Sequence, residues 1–275
     1  MNERLLKVIG FYINLISYFS SKYAAKLAIK LFSIPQKGRL NEEEVQYLST
    51  AIQEDIIHEN ISIKTYYWKG KKDTILLAHG WESNAYRWKP LIEILKSLGY
   101  TIITLDAPAH GDSGGKLFNA ILYSECISVI AKKFKANAII GHSVGGTATI
   151  FSQYKTPLES IKKLVSLGAP SDFVDIFKRY EVMMGYNKKV SQAIKQFLLR
   201  KYNHLPEYYS AANFSKEIKA KILVIHDKKD RIIPYTDGLK FKKNYETVQF
   251  IGTKGFGHGL KNDIVYNHIV DFLNA

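Results

Sequence analysis

Two serines stand in glycine-rich strings where a hydroxyl could be made reactive: Ser143 in "GHSVGG" (141–146) and Ser113 in "HGDSGG" (110–115). A serine hydroxyl is a poor nucleophile at neutral pH unless a base takes its proton and a third group orients that base. The sequence downstream of Ser143 offers both. "HDKKDRIIP" (226–234) carries Asp227 and Asp230 after an apolar run, and "GTKGFGHGL" (252–260) carries His258 after the next one. Acyl transfer also needs N–H donors aimed at the oxyanion that forms on the attacked carbon. The N–H of Val144, next after the serine, is one candidate, and "LLAHGW" (76–81) ends on Trp81, whose N–H is the other.

Groups so far apart in sequence meet only if the intervening elements carry them to one edge. After Pro35, Asn41 is placed to cap a short helix with Glu44 reaching back to it. "DIIHENISIKTYYW" predicts two strands around Glu59-Asn60. Apolar strands are then expected at 74–78, 101–106, 138–141, 163–167, 221–226 and 247–251, with helices at 88–98, 117–134, 145–154, 236–243 and 264–273 between and after them. Near-continuous apolar strands fit a sheet buried on both faces, hence an α/β fold with a mostly parallel central sheet flanked by helices. The parallel strands bring the loops of Trp81, Ser143, Asp230 and His258 to the same carboxyl edge. Between "LVSLGAP" and "KILVIHD" about fifty residues show no strand signal and read as two helices, a cap inserted at about 171–218. Residues 1–40 form an N-terminal amphipathic helical segment ahead of the domain at 41–275.

"ANAIIGHSVGGTATIFSQY" places Ser143 between an apolar strand and a helix, on a sharp turn where Gly141 and Gly145 leave room for strained backbone. Five landmarks in order, "HGW", "LDAPAHGDS", "GHSVGG", "HDKKDRIIP" and "GFGH", make residues 61–273 resemble the α/β-hydrolase superfamily, of the serine esterase and lipase kind with a small helical lid. That resemblance implies Ser143 as nucleophile, His258 as base and then acid, Asp230 rather than Asp227 as its orienter, and Trp81 and Val144 as oxyanion-hole donors. It also implies that Asp106, His110 and Ser113 hydrogen-bond locally in a structural loop, and that His79, His142 and His226 serve structure. Ser113 does share "GDSGG" with trypsin-like proteases. That family needs two antiparallel barrels, with its histidine and aspartate upstream of the serine.

The implied reaction is hydrolysis of carboxylic esters of small to medium acyl groups through an acyl-enzyme. The alternatives are an acyl thioesterase, or a non-catalytic ligand-binding member of the same fold. Phe173, Phe177, Met183 and Met184 of the cap, with Tyr180, Tyr186, Phe197 and Tyr202 beside them, are available to line an acyl pocket. No cluster has metal-ligand spacing, and a serine mechanism calls for neither metal nor cofactor. The net charge of +14 favours acidic partners, but the compact nucleic-acid-binding motifs are missing, so no nucleic-acid partner is expected. The first forty residues carry seven Lys or Arg against Glu3 alone. Their uncharged run is too short to span a bilayer, and an amphipathic helix follows, with Leu27 and Leu31 on one face and Lys22, Lys26 and Lys30 on another. This segment fits either a helix packed on the protein or one in peripheral contact with anionic membrane. Cys126 is the only cysteine and reads as a buried structural residue, which suits a reducing, cytoplasmic setting.

Overall fold

The computed structural model describes residues 3–243 and 248–275. They form two compact units, one of Met1–Ile34 with Asp172–Ser210 and one of Pro35–Ser171 with Ala211–Ala275.

The larger unit is built on an eight-stranded sheet. Its strands are β1 (Ile52–His58), β2 (Ile61–Trp68), β3 (Thr74–Ala78), β4 (Thr101–Leu105), β5 (Ala138–His142), β6 (Lys163–Leu167), β7 (Lys221–Asp227) and β8 (Val248–Thr253), in spatial order β1-β2-β4-β3-β5-β6-β7-β8. Pairing is antiparallel from β1 to β2 and from β2 to β4, and parallel throughout the rest. The expected start of the last strand, Thr247, lies outside the described residues. The two-residue β1–β2 turn puts Glu59 and Asn60 at φ 46° and 62°, the mirror-image turn whose twist matches that of a hairpin.

Of the helices, α1 (Glu3–Phe19) and α2 (Ser21–Phe32) lie in the smaller unit. Next come α3 (Glu42–Leu48), α4 (Lys89–Ser97), α5 (Ala120–Lys133) and α6 (Val144–Lys155). The smaller unit is completed by α7 (Phe173–Met184) and α8 (Lys188–Tyr202). Then follow α9 (Ala211–Phe214), α10 (Tyr235–Lys242) and α11 (Asp263–Asn274). The capping box at α3 is present with both hydrogen bonds. Leu91, Ile92 and Leu95 of α4 and Val265 and Ile269 of α11 share one apolar cluster with Leu77, Ile140, Val165 and Ile225 of the central strands. A five-residue strand such as β5 is therefore buried along its whole length and reads as an unbroken apolar run.

Register fixes what reaches the edge. Ala78 pairs with Gly141, His142 with Leu167, and Asp227 with Thr253. The loops after β3, β5, β7 and β8 therefore leave the sheet at the same end.

Within the smaller unit, Ala24, Ala25 and Ala28 of α2 pack with Ile13 of α1 and with Val190, Ile194 and Leu198 of α8. Leu27 packs at the margin of this cluster, whereas Leu31 is 39% exposed. The deepest burial on α2 is thus at its alanines rather than at its leucines. Alanines admit close helix–helix approach and lose no side-chain entropy on burial.

Candidate active site

Ser143 caps α6 with φ 54° and ψ −128°, a conformation costly for any side-chain-bearing residue. Its neighbours explain how the turn is held. A Cβ on Gly145 would lie 2.4 Å from the carbonyl oxygens of Ala78 and His79, so only glycine lets α6 start against β3. A Cβ on Gly80 would come within 3.0 Å of Ser143 Cβ, which places the backbone of the Trp81 loop directly against the serine. The N–H groups of Trp81 and Val144 have no hydrogen-bond partner among the described residues. Val144 is also the first residue of a twelve-residue helix, whose N-terminal end favours negative charge.

Ser143 Oγ lies 3.0 Å from His258 Nε2, and His258 Nδ1 lies 2.7 Å from Asp230 Oδ2. Asp230 Oδ1 accepts from the N–H groups of Ile232 and Ile233 at 2.8 and 2.9 Å. Burial alone would raise the carboxyl's pKa, but nearby His226 and the hydrogen bonds from His258 and these two N–H groups outweigh it and hold Asp230 well below the ordinary carboxylate range. Asp230 is therefore ionised and can only accept, so His258 donates from Nδ1 and its Nε2 is left to accept the Ser143 proton. His226 Nε2 donates to the Ile233 carbonyl at 3.0 Å and lies 3.5 Å from Asp230, tying the acid loop to the end of β7.

Asp227 does not touch His258. Its two oxygens accept from Lys229 N, Thr253 Oγ1, Gly255 N and Phe256 N, tying the acid loop to the histidine loop. Those bonds overcome burial and hold its pKa at about 2.

Ser113 lies apart from this chain. It donates to the Asp106 carbonyl at 2.7 Å, accepts from Lys64 N at 2.9 Å and is 2% exposed. Asp106 accepts from Tyr66 Oη, Ala85 N and Asp112 N, while burial pushes its pKa up to about 6. His110 donates to the Pro108 carbonyl and accepts from Glu82 N. His79 donates to the Gly80 carbonyl and accepts from Ala107 N, and burial holds it neutral. The loop of Ser113 thus carries local structure. Cys126 is 1% exposed, and burial pushes its thiol up to about 12.

One contributor has no sequence signal. Arg87, just before α4, donates to His142 Nδ1 at 2.7 Å and to the Gly259 carbonyl at 3.0 Å. Burial and the Arg87 charge keep His142 neutral, so its Nε2–H donates to the His258 carbonyl at 2.8 Å. Arg87 itself is pushed down to about 10 by burial. The carbonyls of His258 and Gly259 are therefore held by groups that converge on Arg87, whose contacts are 55 and 172 residues away in sequence.

The cap residues occupy the smaller unit in different ways. Met184 is 2% exposed, and its carbonyl lies where a Cβ on Gly10 would fall. Phe177 packs against the α2–α8 cluster and on Phe32, Phe173 meets Tyr209 edge to face, and Met183 is 42% exposed.

The chain has the α/β-hydrolase fold. Residues 73–185 match the sequence profile of the alpha/beta hydrolase fold. The alpha/beta hydrolase domain-containing protein 10 from mouse superposes with a TM-score of 0.63 at 17% identity, covering 82% of this chain and 97% of that one. Two sequence relatives are pimeloyl-(acyl-carrier protein) methyl ester esterases. That of Aliivibrio salmonicida is 28% identical over 109 residues, 39% of this chain and 41% of the relative. That of Pectobacterium carotovorum is 27% identical over 152 residues, 54% of this chain and 56% of the relative. The chain thus spans about half the length of the relatives it matches. Esterases are among the proteins that it is similar to in sequence.

Proposed function

We propose that this protein is a serine hydrolase that cleaves carboxylic esters of small to medium acyl groups through an acyl-enzyme. The observation that carries the reading is the hydrogen-bonded series Ser143 Oγ, His258 Nε2, His258 Nδ1, Asp230 Oδ2, with the serine on a strained turn at a helix N-terminus. The esterase activity named for the two sequence relatives supports the bond type.

In the first step Ser143 Oγ attacks the ester carbonyl carbon as its proton passes to His258 Nε2. The carbonyl π electrons move to oxygen, and the N–H groups of Val144 and Trp81 receive the oxyanion; losing one such donor typically costs on the order of 10²–10³ in rate. The oxyanion collapses, the carbon–alkoxide bond breaks, and the alkoxide takes the proton from His258 and leaves as an alcohol. Water then gives a proton to His258 and attacks the acyl carbon; collapse returns that proton to Ser143 and releases the carboxylic acid. Ionised Asp230 stays ionised throughout and fixes the ring that shuttles the proton.

The test is the intact mass after a fluorophosphonate probe, for wild type, Ser143→Ala and Ser113→Ala, followed by kcat/KM for matched p-nitrophenyl esters and acyl thioesters. The expected result is one adduct lost only in Ser143→Ala, with esters turned over faster than thioesters of the same acyl chain. Faster thioester turnover would replace the ester reading, and an unlabelled wild type that binds acyl ligands without turnover would replace catalysis altogether.

A further inference from the structure

From Val8 to its end helix α1 carries no charge, although only one of its sides is buried. Its inward face is Gly10, Ile13 and Ser17, with Asn14 donating to the Gly185 carbonyl and accepting from Asn187 N, so its orientation within the smaller unit is fixed. Gly10 admits the Met184 carbonyl to a point 1.7 Å from where a Cβ would lie, which clamps α1 to the end of α7. On the outward face Val8, Phe11, Tyr12, Leu15, Tyr18 and Phe19 are between 48% and 88% exposed. No charged residue occurs from Val8 to Phe19. The outward face of a helix on a water-soluble unit is ordinarily polar or charged, and contiguous exposed apolar surface of this kind marks an interaction site.

The surroundings say what kind of partner fits. The two segments of this unit carry twelve Lys and Arg against five Asp and Glu, which is half of the net charge of +14 in about a quarter of the chain. Lys189 Nζ sits 5.3 Å over the Tyr18 ring at the margin of the apolar face, and Lys7 donates to the Val182 carbonyl at its other end. Val182 and Met183, 73% and 42% exposed, lie at that end beside Glu3 and Leu6. Exposed tyrosines among aliphatic side chains, rimmed by lysines, match the depth profile of a lipid interface, with acyl chains below, carbonyl and glycerol groups at the tyrosines, and phosphates at the lysines. Among the described residues no helix is long and apolar enough to cross a membrane, so such a helix would lie in the interfacial plane.

We propose that the outward face of α1 docks on an anionic lipid surface, with Phe11, Leu15 and Phe19 entering the acyl boundary and Lys7 and Lys189 meeting headgroup phosphates. A second copy of the chain is the poorer occupant, because apposing two such faces would bring two lysine rims of like charge together, whereas anionic headgroups neutralise them. The proposal stands on the smaller unit alone and is independent of the role of Ser143.

The experiment is flotation of the full chain with vesicles of phosphatidylcholine alone and of phosphatidylcholine mixed with phosphatidylglycerol, beside analytical ultracentrifugation without lipid. The expected result is a preference of about tenfold or more for the anionic vesicles that weakens with salt. Phe11→Glu/Leu15→Glu should lower flotation by about tenfold while the thermal unfolding curve stays in place, since both side chains face solvent. Lys189→Glu should lower the preference for anionic over neutral vesicles severalfold, and Ser143→Ala should float as wild type does. Failure to float, or flotation indifferent to Phe11→Glu/Leu15→Glu, would overturn the proposal. So would a wild-type dimer that does not float and is split by that double variant, which would give the face to a second copy.

Discussion

At the scale of single residues, the two aspartates of the acid loop separate positioning from support. Asp230→Asn keeps a side chain of the same shape beside His258 but offers its ring an amide, so the ring can no longer be held with Nε2 free to accept. A loss of up to about 10⁴ in kcat is expected, with the unfolding midpoint little changed. Asp227→Asn should do the reverse. Its amide would point an N–H₂ at N–H donors that now meet a carboxylate, costing about 2 kcal/mol of stability at neutral pH. The pH dependence gives an independent reading. Because the pKa of Asp227 in the folded protein is about 2, below the ordinary value near 4, its contribution is fully present above about pH 4 and is lost as pH falls toward 2. The stability gap between wild type and Asp227→Asn, measured by urea titration, should therefore narrow by on the order of 1 kcal/mol between pH 5 and pH 2. A gap that stays constant would show that ionisation of Asp227 contributes nothing. Ser143, Asp230 and His258 could be singled out as candidates because each follows an apolar strand, and the structure brings their side chains within hydrogen-bond reach of one another. Arg87 could not be, since a single arginine in "NAYRWK" carries no mark of the histidine and carbonyl that it reaches across the fold.

At the scale of elements, strands and helices of the sheet were readable to within a residue or three, because both signals are local: apolar runs of about five residues for strands and capped, periodic segments for helices. Which face of a helix is buried is not a local property. In α2 the hydrophobic weight sits on Leu27 and Leu31, yet Ala24, Ala25 and Ala28 are the residues with no exposure, because close contact with α8 selects small side chains. This yields a testable contrast. Ala25→Leu should destabilise by about 1–3 kcal/mol through overpacking, whereas Leu31→Ala, at a position 39% exposed, should cost about 1 kcal/mol or less. Urea midpoints of the two variants decide it, and a larger loss for Leu31→Ala would mean that α2 packs through its leucines.

At the scale of the whole molecule, the segment before Pro35 and the segment from Asp172 to Ser210 form one unit although more than a hundred residues separate them. Nothing in either segment announces the other; each reads alone as amphipathic helices, and only tertiary contacts join them. Val190, Ile194 and Leu198 of α8 bury against Ala24, Ala25 and Ala28, and Tyr180 Oη of α7 donates to the Ala28 carbonyl at 2.9 Å. Removing residues 1–34 would therefore do more than delete a surface helix, because it strips the apolar face of α7 and α8 of its cover. Such a truncation should bind a hydrophobic dye and be cut by trypsin within 178–201 many times faster than the full chain, while fragments of the sheet unit, with a core of its own, persist. Equal cleavage in both proteins would mean that α7 and α8 hold together without the N-terminal segment. Loss of membrane binding on truncation would then confound docking with unfolding, so the substitutions that decide the role of α1 are those on its solvent face, where Phe11 and Leu15 can change without disturbing what the helix holds in place.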